Sequence, residues 1–241
     1  MNLIKAFLTF IRGIKETHDI FSSIYAVFQK RIDNILLNKG KIIIKKDTME
    51  WMLKLSIDKD IQVEKFDHIE VLNDYFFQKI NDDDIVLDIG AGAGLYSLLV
   101  AKVAKKVYSI EPLLIDVLLE NTRNVSNIEV LPIAFGKDGK EKCNYWGMSK
   151  VIESKSLQTL LYELNPAPTY IKCDCEGCEW NGFMSCNDFK DIRIIEMEYH
   201  TQISNNLWKL VSQLKANGFS VTIKPSYSCN FRYIGKLYAE K

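Results

Sequence analysis

The chain has no excess of either charge: 31 Lys and Arg stand against 31 Asp and Glu in 241 residues. A general nucleic-acid binder carries a cationic surplus to neutralise phosphates, and an acidic solvating tail carries the reverse. Both readings are disfavoured, and nucleic acid is not an expected partner. Proline and glycine are scarce, at 5 and 12 residues, which excludes collagen-like and Pro-rich low-complexity chains. No apolar run approaches the eighteen residues of a membrane-spanning helix. The opening segment Met1–Lys15 is apolar but broken by Lys5, Arg12 and Lys15, so it lacks the core of a secretory signal. The six cysteines, Cys143, Cys173, Cys175, Cys178, Cys186 and Cys229, are therefore expected as reduced thiols of a cytoplasmic protein.

What is present is a globular composition, 47% apolar and 11% aromatic. The chain divides at Asn81-Asp82-Asp83-Asp84. Residues 1–80 form a mixed extension. Its first part reads as amphipathic helix to about Leu37, with Leu3, Phe7, Phe10 or Ile11, and Ile14 at helical spacing. Short strands are expected at Lys41–Lys45 and Trp51–Ser56, and a helix over Phe66–Ile80. Residues 81–241 alternate between the two periods. Strands are expected at 85–89, 106–110, 128–131, 170–175, 192–198, 219–223 and 231–238. Helices are expected at 95–104, from Pro112 to about 124, at 156–164 and at 205–216. Alternation of this kind gives parallel β-α-β units, hence an α/β, Rossmann-like sheet with helices on both faces. The last two strands have no helix between them and predict an antiparallel edge hairpin.

Ligands of such sheets bind at the carboxyl ends of the strands. The first strand ends in Asp88-Ile89-Gly90-Ala91-Gly92-Ala93-Gly94. Glycines let the backbone turn sharply and approach a ligand closely. The spacing is Gly-x-Gly-x-Gly, and Leu95 stands where a dinucleotide fingerprint has its third glycine. The second strand runs into Glu111, about twenty residues on, the separation of a ribose-binding acid. The pair points to a ligand that contains a ribose, most simply an adenosine.

These residues resemble a class I S-adenosylmethionine-dependent methyltransferase, and within that group the FkbM family. The resemblance is carried by Val86–Gly94, by Ser109-Ile110-Glu111-Pro112, by Leu119-Glu120-Asn121 with Asn127, and by Pro132–Gly136. Its most specific stretch is Ile171-Lys172-Cys173-Asp174-Cys175-Glu176-Gly177-Cys178-Glu179, similar to the family's Lys-x-Asp-x-Glu-Gly-x-Glu motif. Glu198-Tyr199-His200 matches an acidic-x-His strand ending. The resemblance spans about Asp84 to His200 and does not reach the first eighty residues. It implies a mostly parallel seven-stranded class I methyltransferase sheet with S-adenosylmethionine as cofactor. Asp88, Gly90, Ala91, Gly92 and Gly94 would hold the methionine part of the cofactor. Glu111 and Pro112 would lie at the ribose, and Ala134 and Phe135 near the adenine. It also implies methyl transfer to an acceptor oxygen, a hydroxyl of a sugar, glycan or other small metabolite. A hydroxyl acceptor needs a base, and His200, Asp174, Glu176 and Glu179 are the candidates. His200 has the unperturbed pKa best suited to the task.

Other readings compete for the same residues. Three carboxylates in one short turn can also hold a hard divalent cation, although no metal ligand is assigned. Cys173-x-Cys175-x-x-Cys178 has the spacing of a thiolate metal site, but cysteines alternating with charged residues on a strand read first as small apolar packing residues. The N-terminal helix suits peripheral contact with an anionic membrane or, preferentially, packing. Tyr145, Trp146 and Trp180 are candidates for stacking on a planar acceptor, with core packing as the default. Methylation of RNA or protein, and a non-catalytic cofactor-binding scaffold, are the alternative functions.

Overall fold

The computed structural model describes residues 79–145, 148–189, 191–201, 207–229 and 232–241. The expected elements of residues 1–78, the membrane-contact reading of the N-terminal helix, and Trp146 lie outside them. Among the described residues no helix is long and apolar enough to cross a membrane.

The core strand is β1 (Ile85–Ile89), buried along its whole length. A strand buried on both faces needs apolar residues at every position, and Ile85-Val86-Leu87 and Ile89 supply them. It is flanked by parallel β2 (Lys106–Ile110), which pairs in turn with β3 (Ile128–Leu131). On its other side lies β7 (Tyr170–Cys173), then parallel β8 (Ile194–Thr201). The edge is the antiparallel pair β9 (Ser220–Cys229) and β10 (Arg232–Glu240). The seven-stranded order is β3-β2-β1-β7-β8-β10-β9. This is a Rossmann-like, mostly parallel α/β sheet with an antiparallel edge, as the alternation of strand and helix periods predicted.

Period two sorts the core. Ile85, Leu87, Ile89, Ile171 and Cys173 face one side, together with α4 (Glu179–Phe183) and α5 (Leu207–Ala216). Val86, Val107, Tyr170 and Ile194 face the other, against α1 (Leu95–Val100). Two polar side chains on the α1 side, Asp88 and Lys172, follow the same alternation and become neighbours on adjacent strands.

Two differences from expectation have physical causes. The helix expected from Pro112 begins later, as α2 (Ile115–Thr122). Before it, the amides of Leu113 and Leu114 donate to the Glu111 carboxylate, at 2.8 and 3.0 Å, so that stretch is a turn held by a side chain. A second sheet also stands where no strands were expected. It consists of β4 (Ala134–Phe135), β5 (Gly139–Tyr145) and β6 (Met148–Lys155), in the order β4-β6-β5. The β5–β6 hairpin is rich in Lys, Glu and Ser, so its alternation carries little hydrophobic signal. It hands the chain to α3 (Leu157–Glu163), capped by the Ser156 hydroxyl.

Candidate active site

The glycine turn is shaped by close approach. Gly90 has φ +75°, and a Cβ there would lie 1.9 Å from the Asp174 carbonyl oxygen and 3.3 Å from the Cys175 Cα. The turn therefore presses directly against the end of β7. Gly92 has φ +57°, and its Cβ position opens into free space. Gly94, at φ +91°, forms the left-handed start of α1. Ala91 is buried, and its amide and that of Gly90 donate to the Ile110 carbonyl, at 2.9 and 3.0 Å. Asn121 Nδ2 donates to the Ala93 carbonyl at 2.7 Å, fixing the far side of the turn.

Asp88 is fully buried. Its Oδ1 lies 2.9 Å from Lys172 Nζ, and its Oδ2 accepts from the Ser97 hydroxyl at 2.6 Å. Lys172 also donates to the Gly90 carbonyl at 3.0 Å. Burial alone would lower the Lys172 pKa, but the Asp88 carboxylate outweighs it and raises the group above its ordinary value. Asp88 is thus an internal brace that shapes the turn from below through Lys172. The resemblance gives Asp88 a bond to the cofactor's amino end, directly or through water; here its two oxygens are engaged by Lys172 and Ser97. Lys172, Ser97 and Asn121 were given no role in the sequence reading. A lysine in an otherwise apolar strand was the available signal for Lys172.

Glu111 is nearly buried. Its Oε2 accepts from the Gly92 amide at 3.0 Å, while Oε1 accepts from Leu113 and Leu114. It ties the end of β2 to the glycine turn, and Pro112 follows, half-buried. Ala134 and Phe135 are buried in β4. The Phe135 ring packs edge-on to Phe183, with centroids 5.4 Å apart, and fills the space beside Gly182. Its ring therefore serves the core.

The second half of the site is built at the ends of β7 and β8. His200 is buried, and its Nδ1 lies 2.8 Å from Glu179 Oε1. Its Nε2 lies 3.5 Å from both Glu176 Oε2 and Glu198 Oε1. Trp180 Nε1 donates to the His200 carbonyl at 2.8 Å, so α4 grips the residue through both side chain and backbone. Burial would lower the His200 pKa, but hydrogen bonds to Glu179 and Glu198 overcome it and raise it to about 10. The ring is therefore an imidazolium at neutral pH. A protonated ring cannot accept a proton, so the environment opposes the base role that an unperturbed pKa suggested. Glu179 is fully buried, and burial raises its pKa despite His200.

Asp174 sits at the same end. Burial, then the neighbouring Glu198 charge, pushes its pKa up to about 6. Glu198 moves the opposite way. Burial resists its ionisation, but His200 and Lys236 win, and Lys236 Nζ lies 2.5 Å from its Oε2. Asp174, Glu198 and His200 each bring one donor atom within 4.8 Å of the others, a spacing that a cation would also fit. The imidazolium and Lys236 already supply positive charge there. Glu198 and Lys236 were missed as site residues because their importance comes from pairing across β8 and β10.

The cysteines differ from the expectation of reduced thiols. Cys175 and Cys178 form a disulfide, with Cα atoms 5.6 Å apart. Cys173 remains a free, fully buried thiol, as a packing residue should. With two of the three sulfurs bonded to each other, the motif does not offer a thiolate set for a metal. Trp180 is buried and holds His200, which leaves it the structural role.

No family model matches the chain. Over 83 residues it is 35% identical to a probable ribosomal RNA small subunit methyltransferase A from Methanosphaera stadtmanae, covering 33% of this chain and 29% of that protein. Over 70 residues it is 33% identical to the uncharacterized protein MJ1452 of Methanocaldococcus jannaschii, covering 27% of each. The matches thus span less than a third of either curated relative. Among solved structures, the chain is similar to a precorrin-6y C5,15-methyltransferase from Geobacter metallireducens GS-15, with TM-score 0.44 and 14% identity over 68% of this chain and 85% of that one. It is also similar to the M. jannaschii tRNA m1G37 methyltransferase, with TM-score 0.44 and 16% identity over 68% of this chain and 46% of that one.

Proposed function

We propose that the chain is an S-adenosylmethionine-dependent methyltransferase that acts on an acceptor hydroxyl. The observation that carries this reading is the junction of two half-sites. The glycine turn, bridged to Glu111, presses on the end of β7, where Asp174 leads into the acidic cluster around His200. The residues fit the cofactor. Gly92 leaves its Cβ side open, and the carboxylate of Glu111 at the end of β2, bonded to the Gly92 amide, supports the ribose-binding role. The cofactor supplies an electrophilic methyl group on a sulfonium.

The protein's own work is positioning and proton removal. Asp174 is the proposed base, since a carboxyl near pKa 6 is ionised at neutral pH yet more basic than an ordinary aspartate. His200 is a positioning residue: its imidazolium draws Glu176, Glu179 and Glu198 together. Asp174 would take the acceptor's proton as the acceptor oxygen bonded the methyl carbon; the carbon–sulfur bond would break and the sulfonium would leave as the neutral thioether S-adenosylhomocysteine, with orientation of the reactants accounting for much of the rate. Four carboxylates clustered around His200 suit a cationic cofactor and a neutral hydroxyl. They disfavour a phosphate backbone, which supports a sugar or small-metabolite acceptor. The FkbM resemblance supports the same assignment.

A second reading is methylation of RNA. It is favoured by the 35% identity to a relative named as a probable ribosomal RNA methyltransferase. One experiment separates the two. Methyl-labelled S-adenosylmethionine is supplied to the full chain with a panel of hydroxylated glycans and metabolites in one arm and total RNA in the other. Label in the first arm, abolished by Asp174→Asn, is the expected result. Label in RNA alone replaces it with the second reading. Absence of S-adenosylhomocysteine binding by calorimetry overturns both.

A further inference from the structure

The Cys175–Cys178 disulfide lies outside the chemistry proposed above, yet it spans the turn that carries part of it. Cys175 follows Asp174, and Cys178 caps the start of α4, whose first residues Glu179 and Trp180 hold His200. Between the two sulfurs lie only Glu176 and Gly177. Both have left-handed backbone, φ +59° and +110°. A glutamate rarely adopts that conformation unless its surroundings impose it. Here it brings Glu176 Oε2 to 3.5 Å from His200 Nε2. Cys175 and Cys178 are each partly exposed, so a reagent can reach them, and Glu176 between them is exposed.

We propose that Cys175 and Cys178 form a reversible redox site, whose disulfide holds Glu176 against His200 and whose reduction by a dithiol releases it. In the forward step a thiolate of the dithiol attacks one cysteine sulfur and forms a mixed disulfide. The second thiol of the reagent then displaces that cysteine. Two electrons and two protons pass to the protein, leaving two cysteine thiols and the oxidised, cyclic reagent. Partly exposed disulfides are the ones open to such exchange.

Cys173 is the obvious rival participant, because its Sγ lies 3.7 Å from Cys175 Sγ. It does not take part. It is fully buried, and desolvation followed by the nearby Glu179 charge holds its thiol well above the ordinary value. The thiolate is the nucleophile, and burial with the neighbouring charge disfavours it here. The site is therefore a pair with a silent neighbour.

Release has a local and a remote consequence. Locally, Glu176 leaves the left-handed region and its carboxylate leaves His200. Glu179 keeps its hold on the ring and Trp180 its bond to the His200 carbonyl, because neither lies between the sulfurs. Remotely, the glycine turn rests on this segment through Gly90, which meets the Asp174 carbonyl and the Cys175 Cα. A loosened segment weakens the platform beneath the turn. That last consequence rests on the proposed cofactor reading, whereas the redox chemistry does not.

The test uses the full chain, equilibrated with oxidised or with reduced dithiothreitol. Peptide mass mapping after alkylation of the folded protein is expected to find a Cys175–Cys178 link in the first sample. In the second it is expected to find both residues alkylated, with Cys173 unlabelled in each. Amide hydrogen exchange over residues 175–178 should be faster in the reduced sample by on the order of tenfold, with residues 180–183 changed much less. A Cys175→Ser/Cys178→Ser chain should exchange like the reduced form in both conditions, and Cys173→Ser should keep the native response. Calorimetry with S-adenosylhomocysteine should show several-fold weaker binding after reduction. Free thiols at both positions in the oxidised sample overturn the site. A link that forms without altering exchange of 175–178 overturns the switch. If S-adenosylhomocysteine binds neither form while the exchange difference is present, the cofactor reading fails and the redox site stands.

Discussion

Replacing Lys172 by Met tests the brace beneath the glycine turn. Lys172 is about 5% exposed, and its ammonium lies 2.9 Å from a carboxylate with no exposure at all. The substitution keeps most of the stem's volume and removes the ammonium, both its charge and its donors. Asp88 then retains the Ser97 hydroxyl bond but loses its counter-ion, and the Gly90 carbonyl loses a donor. Breaking one partner of a buried pair costs roughly 3–5 kcal/mol, because the remaining charge has no compensation. Against a total stability of about 5–15 kcal/mol this is a large fraction. For a chain of this size it corresponds to a fall in Tm on the order of 6–20 °C. Urea unfolding measures it as a lower midpoint with an unchanged slope. The companion variant Lys172→Met/Asp88→Asn removes both charges. It should be less destabilised than the single variant, because no uncompensated ion is left buried. A loss below about 1 kcal/mol for Lys172→Met, or a double variant weaker than the single, refutes the brace.

Three further outcomes follow from the same geometry. Gly90→Ala drives a Cβ into the Asp174 carbonyl and should destabilise the fold by at least about 1–3 kcal/mol, read by the same unfolding experiment. The His200 pKa is raised, to about 10, so its contribution is fully present below the ordinary histidine value near 6.5 and lost as pH rises through 10. Stability of the native chain should fall over that interval, and Glu179→Gln should shallow the fall, as followed by denaturation at stepped pH. With Asp174 as base, methyl transfer should drop on the acid side of pH 6, and Asp174→Asn should lose turnover while still binding S-adenosylhomocysteine; a profile with no acid limb near 6 argues for another base.

The central sheet was legible because burial on both faces writes itself into sequence. The strands at 85–89, 106–110 and 128–131 have the bounds that their apolar runs suggested. The β5–β6 hairpin was not, since alternate residues there are only half-buried and the sequence is mostly charged and polar. The candidate residues at the carboxyl ends were found by position, but their states were not. His200 reads as a near-neutral base in isolation and becomes a cation through Glu179 of α4 and Glu198 two residues before it on β8. Lys236 joins that network from β10, through a cross-strand pairing that no local spacing announces. The disulfide was hidden for a related reason. Its spacing fits packing, metal binding and bonding alike, and only the turn of Glu176 and Gly177 brings the two sulfurs together.

The Glu111 carboxylate has a finite capacity, and most of it is committed. An ionised carboxylate offers about four acceptor positions. Three are taken by the amides of Gly92, Leu113 and Leu114. Among the described residues one position has no donor, so under the proposed function a diol arriving at this edge would find one open lone pair. Its first hydroxyl is accommodated without disturbance, whereas its second must share a lone pair already in use or take one from a backbone amide. The bond most directly exposed to that exchange is the one from Gly92, on the turn itself. On that proposal, recognition of the second hydroxyl would be linked to the shape of the glycine turn, so a deoxyribose and a ribose ligand should leave that turn in measurably different states.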